Sequence, residues 1–129
     1  MFKNFPLDPG CNDSVKFPIH PLGCQIAIMA RCAGRHGKFK EFHHLAFAQQ
    51  EVASTGQVRK WAQEVGLKDA DIDACVKDVS IVTKIKDDAK VGAAADITAT
   101  PTVYINGHKY IGERFDGIRT AIKQSLGGD

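Results

Sequence analysis

The sequence predicts an α/β domain in which a short sheet accompanies a large helical insert. Near the C-terminus, Thr102–Ile105 and His108–Ile111 are rich in β-branched, aromatic or apolar residues and flank Asn106-Gly107. An Asn-Gly pair readily takes the two positive φ angles of a type I′ turn, so this pattern predicts a β-hairpin over about 102–111. A short apolar run predicts another strand at about 2–7, and helical periodicity fills most of the chain between the two.

The predicted elements follow one another in a simple order. The strand at about 2–7 is brought to an end by Pro6 and the turn-forming Asp8-Pro9-Gly10. Helices follow wherever apolar residues recur three and four positions apart, with Thr55 as the expected N-cap of the third helix and Gly66 as its stop. The apolar residues at helical spacing that indicate the six predicted helices are, in chain order, Leu22, Ile26 and Met29; Phe39, Phe42 and Leu45; Val58, Trp61 and Val65; Ile72, Cys75 and Val76; Ile81, Ile85 and Ala89; and Ile118, Ala121 and Ile122.

Composition excludes several classes of protein. A net charge of +2, with 43% hydrophobic and 25% charged residues, is typical of a globular domain and leaves no basic cluster dense enough for nucleic-acid binding. No run of 18 apolar residues is present, so we expect no membrane span. The first residues of the sequence as printed contain no apolar signal-peptide core.

The C-terminal pattern resembles a known family. Thr100-Pro101-Thr102, the apolar run ending in Ile105-Asn106-Gly107, Gly112 and an amphipathic last helix resemble the closing β-β-α unit of the thioredoxin fold, and more narrowly the DsbA-like thiol–disulfide oxidoreductases. The segment 2–9 resembles the strand that follows the active-site helix in that family. Cys24-Gln25-Ile26-Ala27 and the stretches 37–43 and 46–50 resemble its helical insert.

The resemblance implies a truncated thioredoxin-like (DsbA-like) fold. Residues 1–129 would form a single partial domain: 1–7 the strand after the missing active-site unit, 8–97 the loop and helical insert, and 98–129 the cis-proline loop, hairpin and last helix. By resemblance, Thr100 and Pro101 would form the substrate-binding loop, and the compartment would be periplasmic or otherwise extracytoplasmic. Without the family, an X–Pro bond such as the one before Pro101 would be expected to be trans.

The family's catalytic motif has no counterpart in the sequence. None of the four cysteines forms a Cys-x-x-C, so we expect no catalytic residue and no cofactor. The leading interpretation is the C-terminal portion of a DsbA-like oxidoreductase that is catalytically silent in this form. Two alternatives stay open: a non-catalytic binding or assembly module, and weak redox activity through Cys11 and Cys24.

The missing unit also bears on partners. In the thioredoxin sheet a central strand lies between the strand at about 2–7 and Thr102–Ile105, and its absence would leave unpaired edges. The two strands could pair directly, two copies could form a homodimer, or another chain could donate a strand, and of these the homodimer is favoured. An extended polypeptide could also be captured at such an edge.

The cysteines are interpreted in pairs. Cys11 lies in a loop and Cys24 on the face of the first helix opposite its apolar stripe, so a structural disulfide is the first interpretation, worth about 3 kcal/mol by chain entropy. Free thiols and a redox-active pair are the alternatives. Cys32 and Cys75 lie on or beside apolar helix faces and are expected to be buried and free, although a bridge between them stays open.

Histidines give no convincing site in the sequence. A zinc site from Cys11, His20 and Cys24 matches no common ligand spacing, so no metal is expected. His43 and His44 are adjacent on a predicted helix, where neighbouring side chains diverge, and are expected at the surface.

Overall fold

The computed structural model of the protein describes residues 2–111 and 115–127, and it divides into two compact units, Met1–Val91 and Gly92–Asp129. Met1 and Gly112, which entered the sequence interpretation, lie outside the described residues. The described elements are six α-helices, one short 3-10 helix and two strands. The α/β class with a short sheet is therefore confirmed.

The first unit is helical. Helix α1 is Gly23–Arg35, α2 is Phe39–Ala48, α3 is Thr55–Glu64 and α4 is Asp69–Lys77, with a 3-10 turn at Gln50–Val52; α5, Val79–Ala94, begins in this unit and ends in the second. Among the described helices, none is both long enough and apolar enough to cross a bilayer.

The ends of α3 show how local sequence sets the helix boundaries. Ser54, not Thr55, is the N-cap: its side chain accepts a hydrogen bond of 3.1 Å from the Gln57 N–H, and Thr55 is the first helical residue. At the other end Gly66 has a φ of +103°, and its N–H donates to the Gln63 carbonyl while the Leu67 N–H donates to the Ala62 carbonyl. This pair of bonds is a Schellman cap, which confirms Gly66 as the stop.

The core of the first unit is built where α1 to α5 present their apolar stripes. Phe42 and Trp61 are fully buried with their rings 6.4 Å apart edge to face, and the Trp61 indole N–H donates to Gln49 Oε1 at 2.8 Å. Ile72, Ile81 and Ile85 complete the fully buried large side chains. The predicted apolar faces of α1 to α5 therefore pack together, except that Val76, expected on the apolar face of α4, is exposed.

The predicted strand at about 2–7 is not formed as a strand. Residues 2–6 have no ladder partner among the described residues. Instead, the buried Asn4 donates from its backbone N–H at 3.1 Å and from its side-chain amide at 3.3 Å to one carboxylate oxygen of Asp88. A side chain on α5 thus satisfies the backbone group that a neighbouring strand would otherwise satisfy.

The second unit contains the predicted hairpin. Strands β1, Thr102–Ile105, and β2, His108–Ile111, pair antiparallel with Ile105 opposite His108. Asn106 and Gly107 have φ of 49° and 83°, as a type I′ turn requires, and the predicted hairpin is confirmed. Helix α6, Phe115–Ser125, follows and buries Ala121.

Candidate functional site

The Pro101 loop connects the end of α5 to β1. The Thr100–Pro101 peptide bond is cis, and both residues are exposed. Thr102 Oγ1 donates to the Ala99 carbonyl at 2.6 Å, which closes a tight turn around the proline. The loop therefore presents Thr100 and Pro101 outward on a locally hydrogen-bonded frame.

The hairpin is attached to the end of α5 by a long side chain. Lys109 Nζ lies 3.0 Å from the Asp96 carbonyl oxygen and 3.4 Å from that of Ala95. These two carbonyls directly follow the last residue of α5, Ala94, where a cation is favoured by the helix dipole as well as by hydrogen bonding. Lys109 thus holds β2 against the segment from which the Pro101 loop starts.

Strand β1 has one paired edge. Its neighbour is β2, and no other strand is present in residues 2–111 and 115–127. In an antiparallel ladder, hydrogen-bonded pairs alternate with pairs that are not hydrogen-bonded, and a two-residue loop is flanked by a hydrogen-bonded pair, here Ile105 and His108. The backbone N–H and C=O groups of Thr102 and Tyr104 consequently point away from β2. They lie directly after Pro101.

A shallow, open depression lies elsewhere in the second unit. It is lined by Ile105, Asn106, His108 and Tyr110 of the hairpin and by Ala121, Gln124 and Ser125 of α6. Neither Thr100 nor Pro101 lines it. The depression is therefore distinct from the loop that the sequence singles out.

The first unit contains the predicted disulfide between Cys11 and Cys24. Their Cα atoms are 5.4 Å apart, Cys11 is completely buried and Cys24 is partly exposed as the second residue of α1. Gly10 covers the bridge closely, since a Cβ at that position would lie 3.7 Å from Cys24 Sγ. The loop at 8–12 therefore folds back over the start of α1.

The Asp8 side chain links the loop at 8–12 to the N-terminus of α1 through two hydrogen bonds. One carboxylate oxygen accepts from the Gly10 N–H at 2.9 Å and the other accepts from the Cys24 N–H at 3.0 Å. Leu22, the residue in the N-cap position of α1, has no side-chain capping bond, so Asp8 supplies the capping carboxylate from a distance of 16 residues. A negative charge thus already occupies the helix N-terminus at which Cys24 lies.

Cys32 and Cys75 form a second disulfide, which corrects the expectation that they are free. They belong to α1 and α4, their Cα atoms are 5.8 Å apart, and both are buried. Two apolar helix faces that pack together bring them into reach of each other, across 43 residues of sequence. In the part of the chain that the structure describes, no cysteine is free.

His36 lies beside this second disulfide. Ligand atoms of Cys32, His36 and Cys75 are all within 4.8 Å of one another, the one group of three metal-binding side chains found among the described residues. The zinc set considered from the sequence, Cys11, His20 and Cys24, is not brought together in this way. The i, i+4 spacing of Cys32 and His36 is visible in the sequence, but their proximity to Cys75 is not.

His43 is half-buried among aromatic rings, whereas its neighbour His44 is exposed as expected. The His43 ring lies 4.5 Å from that of Phe47, 5.6 Å from that of Phe39 and 6.5 Å from that of Phe2. Burial lowers the pKa of His43, and the nearby His44 lowers it further. The ring contacts of His43 are therefore mainly with aromatic side chains.

Comparison with known proteins shows to which family the chain belongs. A family profile described as Thioredoxin matches residues 12–124. The Na⁺/H⁺ antiporter NhaA 1 of Mycolicibacterium gilvum is 26% identical over 114 residues, which cover 87% of this chain and 17% of that protein. The protein of the same name from Mycolicibacterium vanbaalenii is 27% identical over the same shares of the two chains.

The chain spans about a sixth of the length of these curated relatives. No solved structure gives a significant match. The family profile, in contrast, covers the helical insert, the Pro101 loop, the hairpin and most of α6. Because this match extends over far more than half of its residues, the chain belongs to the thioredoxin family.

Proposed function

We propose that the chain is the C-terminal, substrate-docking portion of a DsbA-like thiol–disulfide oxidoreductase, in which Thr100, Pro101 and the free edge of β1 receive an extended polypeptide. The cysteines of this chain have a structural role, and the chain alone catalyses no dithiol–disulfide exchange. Membership of the thioredoxin family assigns the chain to thiol–disulfide oxidoreductase-like domains. The docking role and the catalytic silence are the proposal.

The observation that carries this proposal is the continuity of the Pro101 loop with an unpaired strand edge. Pro101 is exposed, and the outward-facing backbone groups of Thr102 and Tyr104 follow it at once. An extended peptide can add to such an edge through main-chain hydrogen bonds, which provide affinity without a demand on its sequence. An oxidoreductase that accepts many unfolded substrates needs that kind of tolerance.

The state of the cysteines supports catalytic silence. Thiol–disulfide exchange begins with attack on an accessible sulfur, and Cys11, Cys32 and Cys75 are at most 5% exposed. The spacing that tunes a reactive pair, Cys-x-x-C, does not occur in the sequence. Disulfides of this buried kind are typical of an oxidising compartment, and with the family they indicate an extracytoplasmic location, which we propose is the periplasm.

Peptide binding tests the docking role. The probe is a fluorescently labelled insulin B chain with its thiols alkylated, so that it binds without exchange. We expect Pro101→Ala to weaken binding measured by fluorescence anisotropy, and Pro18→Ala, at an exposed proline in the first unit, to leave it unchanged. Equal affinity of both variants and the parent protein would contradict the proposal.

A redox role for the Cys11–Cys24 bridge is the second candidate. It is favoured by the position of Cys24, which is partly exposed in the first turn of α1, where backbone N–H groups stabilise a thiolate. The Asp8 carboxylate at the same helix end opposes that effect. Turnover in an insulin-reduction assay that disappears in Cys24→Ser and persists in Cys75→Ser would establish this role and overturn the silence proposed above.

The occupant of the β1 edge could also be a second copy of the chain. We propose a homodimer as the resting form, in which strand addition between copies protects the edge until a polypeptide displaces it. Sedimentation equilibrium gives the mass directly. A well-folded monomer at all concentrations would refute the homodimer and leave the peptide-docking role in place.

A further inference from the structure

We propose that Cys32, His36 and Cys75 bind one Zn²⁺ ion when the Cys32–Cys75 disulfide is reduced. The same two sulfurs would then serve either as a covalent bridge or as metal ligands, according to the redox state. This site is separate from the Pro101 loop and from the Cys11–Cys24 bridge, and it does not depend on the function proposed above.

The geometry already approximates a metal site. The ligand atoms of the three residues lie within 4.8 Å of one another. In a tetrahedral site with Zn–S bonds of about 2.3 Å, the two sulfurs are roughly 3.8 Å apart. The three ligand atoms therefore already lie close to the separations that a Zn²⁺ site requires.

Two of the three ligands come from the C-terminal end of one helix. Cys32 lies in the last turn of α1 and His36, four residues on, is the C-cap residue of that helix, so the two side chains are one turn apart at the same helix end. The same spacing of two ligands on one helix face recurs in metalloproteases. Cys75, on α4, supplies the third ligand from the opposite side.

Contacts other than the disulfide keep α4 beside α1. Ile72, one turn before Cys75, is completely buried in the core. Arg35, next to His36, donates to the Asp78 carboxylate at 2.6 Å and to the Ser80 hydroxyl at 3.2 Å, just beyond the end of α4. Because none of these contacts involves a cysteine sulfur, they do not depend on the covalent bond that reduction opens.

Burial and charge also suit a metal ion. The two sulfurs are buried while His36 is exposed, so an ion can enter from the His36 side and keep a water molecule as its fourth ligand. Two buried thiolates without a cation would be strongly unfavourable. Zn²⁺ neutralises both charges, and a neutral imidazole adds none.

The chemistry takes two balanced steps. A dithiol reductant transfers two electrons and two protons to the Cys32–Cys75 bond, which gives two thiols and leaves the reductant as a disulfide. Zn²⁺ then displaces the two thiol protons, forms two Zn–S bonds and accepts the His36 nitrogen. Binding thus releases two protons and should strengthen as the pH rises.

Metal titration of the reduced protein tests the proposal. The full chain is reduced with a phosphine, which adds no thiols that would compete for the metal, and is titrated with Zn²⁺ against a chromophoric chelator and with Co²⁺ as an optical probe. We expect one ion per chain, a sulfur-to-cobalt charge-transfer band, and no binding by the oxidised protein. His36→Ala should weaken binding at least tenfold, since even outer-shell changes at metal sites have about that effect.

Matched variants separate this site from the other cysteine pair. His20→Ala and Cys24→Ser should retain metal binding, whereas Cys75→Ser should abolish it. Circular dichroism of each reduced variant confirms folding, and the exposed His36 position keeps the test valid if Cys75→Ser unfolds. Absence of binding by the reduced chain, equal affinity in His36→Ala, or loss in Cys24→Ser would overturn the proposal.

Discussion

Asp88 anchors the N-terminal segment of the first unit through buried hydrogen bonds, so its removal should destabilise that unit. The Asp88 residue is only 3% exposed, and its carboxylate accepts both hydrogen bonds from Asn4. Lys84 lies 3.2 Å away, Lys3 3.7 Å and Arg31 4.0 Å. Burial alone would raise the pKa of Asp88, but the Asn4 backbone hydrogen bond and Lys84 outweigh it, so the pKa is lowered.

The magnitude follows from the contacts. Asp88→Ala leaves the buried Asn4 N–H without a partner, which is worth about 1–3 kcal/mol, and the longer side-chain bond adds less. Lys3 and Lys84 are about half exposed, so each ion pair contributes under about 1 kcal/mol. The substitution also removes the cost of burying the charge, which offsets part of this loss. We therefore expect the unfolding free energy to fall by about 2–3 kcal/mol in total.

Urea denaturation followed by circular dichroism measures this loss. For a domain of this size the urea dependence is about 1–3 kcal/mol per molar, so the midpoint should fall by roughly 0.7–3 M. Asp87→Ala, at the exposed neighbouring position, should change stability by less than about 0.5 kcal/mol. If the two variants have the same midpoint, the anchoring role inferred for Asp88 is wrong.

Three further predictions concern local contacts. Ser54→Ala should lower the unfolding free energy by about 1 kcal/mol through loss of the α3 cap, whereas Thr55→Ala should have little effect in the same denaturation assay. The pKa of His43 is lowered, so the stability that His43 contributes is present above its unfolded pKa of 6.5 and is lost as the pH falls below that value. His43→Gln should remove this pH dependence from the thermal-melting profile. The hydrogen bonds from Ser80 and Arg35 lower the pKa of Asp78 to about 2, so the stability that Asp78 contributes should be lost only as the pH falls from about 4 towards 2. If the pH dependence of stability in acid is the same in Asp78→Asn as in the parent protein, this prediction is wrong.

The hairpin was predictable because its determinants are local. Asn106 and Gly107 take positive φ angles for reasons internal to those two residues, and the flanking runs fix the register. Helix stops such as Gly66 are local in the same sense. The Pro101 loop was found through its resemblance to a family, since nothing in Thr100-Pro101 alone distinguishes it from an ordinary turn.

Two of the predictions that proved wrong concern residues whose interaction partners are distant in sequence. An apolar run at 2–7 favours a strand, but the group that satisfies the Asn4 N–H lies 84 residues away on α5. Cys32 and Cys75 each look like ordinary buried cysteines, and only the packing of α1 on α4 brings them together. The cap of α3 was misplaced by one residue for a local reason, since Ser54 and Thr55 are both capping residue types and Ser, the stronger of the two, takes the position.

The distribution of chromophores makes the two units separately observable. The single tryptophan, Trp61, is buried in the first unit, whereas both tyrosines, Tyr104 and Tyr110, belong to the hairpin of the second. Indole fluorescence therefore reports on one unit, and tyrosine absorbance, once the tryptophan background is subtracted, reports on the other. Without a label, coincident or separate transitions in these two signals reveal whether the protein unfolds as one cooperative system or as two.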